Sequence, residues 1–190
     1  TYHFAKEEWS EKIPEEEYWI DAAYYFNDGI LALGNKEWKH GYNENSRFFF
    51  LNQENQISLF YDNQESFWNS VGSDCRFGGG RHAKVCGEKF YYISTRNHNS
   101  HVMSIDIHGN VREEIVYEGS VDCFDVCQDT FVYIGMKDGA LQELYRKAEN
   151  DEKLTSLNQD VLAGKYVASY EEIKFENEQS KIIEVVKAKD

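Results

Sequence analysis

The sequence is short of basic charge. Its 20 Lys and Arg face 34 Asp and Glu, a formal net charge of −14. Nucleic-acid phosphates and anionic headgroups both need a basic surface, so neither nucleic acid nor membrane is an expected partner. A solvated acidic surface accounts for the imbalance and leaves neutral or basic partners open. No apolar run approaches the roughly 20 residues of a membrane-spanning helix. No secretory-leader pattern is present, but the chain opens on Thr1 rather than Met, so a leader is not thereby excluded. Proline occurs once, at Pro14, where it ends any helix over Ala5–Lys12. The four cysteines, Cys75, Cys86, Cys123 and Cys127, include no CxxC pair. Zinc ribbons space cysteines about two to four apart in both halves, which Cys75 and Cys86 do not. They read as free, buried thiols of a cytoplasmic protein, and no metal or cofactor is expected. Gly78–Arg81 lacks the lysine and hydroxyl of a phosphate-binding loop. There is no GxSxG elbow, and the six histidines match no metal spacing, so no catalytic residue is expected in this chain.

Aromatics are abundant, with 13 Tyr, 12 Phe and 4 Trp, so the chain can bury a core. The stretch Gly119–Arg146 reads as three strands, Val121–Val126, Thr130–Met136 and Leu141–Arg146, joined by polar turns. Its middle strand, FVYIGM, is apolar on both faces. An antiparallel strand normally has one wet face, so this one must be sandwiched between neighbouring sheets, as in the blades of a β-propeller. The same unit recurs along the chain. Trp19–Phe26, Ile30–Gly34, Arg47–Leu51 and Ile57–Asp62 form one set. After a long loop, Asn63–Arg81, come His82–Val85, Lys89–Thr95, His101–Ile107 and Val111–Glu118. Lys153–Leu157 completes the third set. FYYIST and FVYIGM begin 41 residues apart, and Asp74-Cys75 and Asp122-Cys123 are 48 apart. A period of about 40 to 50 residues with four strands per repeat marks a propeller. A β-sandwich also has many short strands, but it does not explain doubly apolar second strands followed by polar fourth strands.

The expected architecture is therefore all-β: a partial β-propeller of about three four-stranded blades with a C-terminal hairpin or tail. Residues 1–17 are an extension or the remnant of a preceding blade, and 18–158 are the blades. Residues 159–190 are a linker and a hairpin read from the strand-like segments Tyr166–Val167, Ile173–Asn177 and Lys181–Lys187. Closed propellers have about four to eight blades, so exposed blade edges invite association with another copy or partner. Four side chains are candidates to face a substrate. Asp74 and Asp122 occupy matching places in the GSDC and GSVDC segments, and Arg76 and Arg81 flank the glycine run. Each also has a plain structural explanation: a repeated strand-start hydrogen bond for the aspartates and a surface ion pair for the arginines.

NSVGSDCRFGGG (69–80), KFYYIST (89–95), GSVDCFDV (119–126) and LQELYR (141–146) together resemble the propeller domain of the prolyl oligopeptidase family, in its acylaminoacyl-peptidase-like bacterial branch. The resemblance covers roughly residues 20–187 and implies a two-domain serine peptidase. Its propeller restricts entry to short peptides, while the catalytic Ser, Asp and His lie in an α/β-hydrolase domain. It also implies that this domain and the earliest blades lie outside these 190 residues. The expected partners are then short peptides, reached through the full-length enzyme, and the chain's own catalytic domain. IKFENEQSKIIEVVK (173–187) looks like the exit from the propeller, although the Trp and Pro usual there are replaced. The alternative is a non-enzymatic propeller acting as a protein-binding platform.

Overall fold

The computed structural model describes residues 2–3, 5–9, 17–37, 41, 43–71, 80–136, 139–176 and 182–188. By contact the chain divides into two units, residues 1–64 and 65–190.

In the first unit, β1 (Tyr2–His3) and β2 (Glu8–Trp9) pair antiparallel around a turn at Ala5–Glu7. The helix expected from Ala5 does not form there. An uncapped helix of two turns is marginal in water, and a local hairpin replaces it. A four-stranded antiparallel sheet follows in sequence order: β3 (Trp19–Phe26), β4 (Gly29–Asn35), β5 (Arg47–Leu51) and β6 (Ile57–Tyr61). Leu31, Leu33 and Phe48 are fully buried.

The second unit holds two further sheets. One comprises β7 (Ser66–Phe67), β8 (Ala83–Cys86), β9 (Lys89–Arg96), β10 (Asn99–Asp106) and β11 (Val111–Ile115). Here β7 and β8 share one side of β9, so five segments fill four strand positions. The other is β12 (Ser120–Cys127), β13 (Thr130–Met136), β14 (Glu143–Lys147) and β15 (Asp151–Lys153), again in sequence order. We call the three sheets the first, second and third blades. A one-turn helix, α1 (Gln159–Leu162), occupies the expected linker. The hairpin β16 (Tyr170–Glu176) and β17 (Ile182–Ala188) follows in the expected place, and Tyr166–Val167 is not a strand.

The second and third blades share one apolar core. Tyr91, Ile93, Val102 and Ile115 of the second blade meet Val121, Phe124, Val126, Phe131 and Tyr133 of the third, with Tyr117 between them. The Tyr91 and Phe131 rings cross edge-to-face at 5.6 Å. Each fully buried side chain of this size contributes about 1.5–3 kcal/mol of transfer free energy. The sandwiching expected of β13 is only half realised. Phe131, Tyr133 and Gly135 are buried, but Val132, Ile134 and Met136 are half-buried. In β9 the run Phe90–Ser94 is buried throughout. The described cysteines are free thiols, but Cys86 and Cys123 are half-buried and Cys127 is exposed, rather than all buried.

Candidate functional site

The first strand of each blade carries the candidate residues, and the register shows how. Counting outward from each two-residue turn, Phe26↔Gly29, Cys86↔Lys89 and Cys127↔Thr130 are equivalent first pairs. Five pairs on, the ladder shifts in the first blade between Ile20 and Ala22, and in the third between Val121 and Cys123. Asp21 and Asp122 are the extra residues of these two bulges. At the same place in the second blade the strand breaks. Trp68 and His82 both hydrogen-bond Ile93, through its C=O and its N–H, each at 2.9 Å. Residues 69–81 thus form an insertion between them. Asp21 therefore holds, in the first blade, the register place of Asp122 in the third. Trp68 takes φ +93 where the chain leaves the sheet, a conformation costly for a bulky side chain.

Asp122 is buried and held by neutral donors. The Ser120 hydroxyl donates to its Oδ1 at 2.6 Å, the Asn69 amide donates to the same oxygen at 2.8 Å, and the Gln142 amide donates to Oδ2. Asn69 Nδ2 also reaches Ser120 Oγ at 2.6 Å and Val121 O at 3.0 Å. Asp21 makes the equivalent bond in the first blade, accepting from the Ser46 hydroxyl at 2.6 Å. Ser46 and Gln142 each directly precede the third strand of their blade. The bulge aspartate is thus a repeated tie between the first strand and the start of the third.

Arg81 closes the insertion. Its C=O accepts from Phe124 N–H at 3.1 Å, and its guanidinium lies 3.2 Å from Asp125, half-exposed. Lys84 reaches the same Asp125 oxygen at 2.6 Å and also donates to Val126 O. The Lys84 hydrogen bond holds the Asp125 carboxyl below its usual range. Gly80 packs on Cys123: a Cβ there would lie 2.6 Å from Cys123 Cβ, and its φ is +91. The glycine run thus contains one position that excludes a side chain. Burial, then the adjacent Asp122 charge, pushes the Cys123 thiol up. The insertion is therefore rooted at both feet, Asn69 and Arg81, on the first strand of the next blade. Asp74 and Arg76 lie outside the described residues.

Sequence reasoning passed over two further groups. Glu143 is buried at the start of β14. It accepts from Thr155 Oγ1 and from the backbone N–H groups of Leu157 (3.0 Å) and Asn158 (2.9 Å). The Thr155 bond leads in lowering its pKa to about 2. His101 is buried on β10, with Nδ1 lacking a partner, and burial pushes its pKa down. Among the described residues no cluster of three or more His, Cys, Asp or Glu is arranged to hold a metal. No helix among them is long and apolar enough to cross a membrane.

Antiparallel sheets of four strand positions in succession, the first and third with their first strand tied to the start of their third and the last two sharing a core, define part of a β-propeller. The neighbours among solved structures agree. The chain is similar to Pyrococcus horikoshii acylaminoacyl peptidase, with a TM-score of 0.59 at 18% identity over 83% of this chain and 23% of that one. It is also similar to the β-propeller domain of the Trilobed protease from Pyrococcus furiosus (TM-score 0.52, 18% identity, 75% of this chain and 41% of that one). A Mycobacterium tuberculosis puromycin-hydrolyzing peptidase gives a TM-score of 0.57 at 10% identity over 87% of this chain and 25% of that one. The chain thus spans about a quarter of the length of these whole peptidases. No protein-family model matches the sequence, and no curated protein matches it either.

Proposed function

We propose that this chain is the gating and substrate-selecting propeller portion of a cytoplasmic serine peptidase resembling acylaminoacyl peptidase. In this reading it contributes no catalytic residue. The blades restrict entry to short, unfolded peptides, and hydrolysis takes place in an α/β-hydrolase domain of the same polypeptide. The observation that carries this reading is the fold likeness to peptidases that extends over most of the chain. Free cysteines support a reducing compartment. Of the two described candidates, Arg81 is the one suited to meet a peptide carboxylate, because its guanidinium is half-exposed beside Asp125. Asp122 serves as a tie, its oxygens taken by Ser120, Asn69 and Gln142.

The test is made on the full-length polypeptide. A fluorophosphonate probe should label a serine outside residues 1–190, and short acyl-peptides should be cleaved while a folded protein of the same sequence content is spared. A full-length polypeptide that no such probe labels overturns the peptidase reading and leaves the binding platform.

A further inference from the structure

Arg81 stands in a cluster of three charges that holds one donor too many. Asp125 Oδ1 accepts from Lys84 Nζ at 2.6 Å, from Val126 N–H at 2.9 Å and from Arg81 Nη1 at 3.2 Å. A carboxylate oxygen has two lone pairs, so three donors compete for them, and Arg81 is the most distant. Lys84 Nζ also donates to Val126 O at 2.6 Å, and its side chain is 25% exposed against 52% for Arg81. Lys84 therefore satisfies Asp125 without help, and Arg81 is the surplus cation. Arg81 and Lys84 are the charged side chains that bear on Asp125, so one positive charge is left unbalanced in a strongly acidic chain.

The backbone beneath this guanidinium is fixed. Arg81 C=O accepts from Phe124 N–H at 3.1 Å, and Gly80 packs against Cys123. Arg81 is thus held in place against β12, and its side-chain contact with Asp125 is the part that can yield. An exposed ion pair of this kind is worth a factor of about five or less in an equilibrium constant. A carboxylate that receives two parallel N–H bonds from the guanidinium fork exceeds that.

We propose that the free α-carboxylate of a short peptide displaces Asp125 from Arg81, while Lys84 keeps the released Asp125 neutralised. Arg81 is the binding residue, and Lys84 is a positioning residue that acts through Asp125. The choice of a peptide terminus rests on the peptidase reading, and the choice of a carboxylate rests on the geometry. The substrate class is then short peptides with an unblocked C-terminus.

The experiment is an NMR titration of the nitrogen-15-labelled 190-residue chain, read at the Arg81 side chain and at the Asp125 and Val126 amides, with no catalysis needed. Three probes separate the sources of a carboxylate: acetyl-Ala-Ala, its C-terminal amide, and acetyl-Asp-Ala amide. The free acid should bind, and both amides should bind about ten-fold more weakly or less. Arg81→Met should abolish binding. Asp125→Asn removes the competitor and should tighten binding about three- to five-fold. Lys84→Met leaves Asp125 to Arg81 and should weaken binding by about the same factor. In the Asp125→Asn background, Lys84→Met should have no effect. Unchanged amide resonances elsewhere in the sheets show that each variant is folded. Equal binding of the free acid and its amide overturns the proposal, as does a Lys84→Met loss of the same size in both backgrounds. Acetyl-Asp-Ala amide binding as tightly as the free acid overturns the assignment to a terminus. Carboxylate binding in a polypeptide whose serines resist the fluorophosphonate probe sinks the peptidase reading alone. A labelled serine without carboxylate binding sinks this inference alone.

Discussion

Replacing Asn69 tests whether the insertion is anchored to the neighbouring blade. Its Nδ2 lies within 3.0 Å of Ser120 Oγ, Val121 O and Asp122 Oδ1, and its Oδ1 accepts from Val71 N–H at 2.9 Å. An amide has two N–H donors, so at most two of the three acceptors are served at once. A hydrogen bond to a charged acceptor contributes about 1.5–3 kcal/mol and a neutral one about 1. Asp122 keeps Ser120 and Gln142, which limits the loss. Asn69→Ala should therefore destabilise the fold by about 2 kcal/mol. Asn69→Asp should cost about 3 kcal/mol or more, because it sets a second carboxylate against a buried one. Urea unfolding followed by circular dichroism reads this as a midpoint lowered by about 1 M with unchanged slope. A double-mutant cycle with Asp122→Ala should return about 1–2 kcal/mol of coupling. An Asn69→Ala midpoint indistinguishable from wild type, with additive cycle energies, would refute the anchoring.

Other outcomes follow from the same geometry. Glu143 titrates below its unfolded value, so the unfolded chain binds more protons in acid. Its stabilisation is complete above about pH 4.5 and is lost as pH falls toward 2, and Glu143→Gln should flatten the melting temperature across that window. Gly135→Ala would set a Cβ 2.8 Å from the Tyr117 ring, a close approach the packed core cannot relieve, and should cost about 1–3 kcal/mol in the same urea assay. Iodoacetamide should modify exposed Cys127 ahead of Cys123, whose thiol is half-buried and raised in pKa, as peptide mass mapping would show. On the peptidase reading proposed above, the acidic surface of the full-length polypeptide should favour basic over neutral and acidic short peptides in kcat/KM, and Arg81→Ala should raise KM for peptides with a free carboxylate. Equal kcat/KM for basic, neutral and acidic peptides would sink the charge argument.

Strands with strong local patterns were legible in the sequence. Trp19–Phe26, Arg47–Leu51 and Thr130–Met136 have the expected bounds, because apolar runs and turn residues delimit each one, and Ile57–Tyr61 stops one residue short of the expected Asp62. β7 was not legible. Two residues carry no period, and their partners, Ser94 and Thr95, lie far along the chain. Glu143 sits inside LQELYR, where it reads as the wet position of a strand. Only the return of Thr155–Asn158 buries it. Asp21 was missed as the first-blade counterpart of Asp122 because no cysteine follows it. A better signal was available. Asp21 precedes the first residue of its turn, Asn27, by six, and Asp122 precedes Gln128 by the same six. Spacing to the turn outlasts residue identity because the ladder register depends on it.

The break in the first strand of the second blade carries a consequence for how such a domain diversifies. Pairing is complete on both sides of it, through Ser66–Trp68 and His82–Cys86, and both feet are fastened to β12. Lengthening the insertion therefore disturbs no ladder, and each doubling of its length adds only about 0.6 kcal/mol of closure entropy. The scaffold can lengthen the insertion between Asn69 and Gly80 at little thermodynamic risk provided that Gly80 is kept. That makes this break the natural graft point for a new specificity, as a hypervariable loop is on an antibody framework.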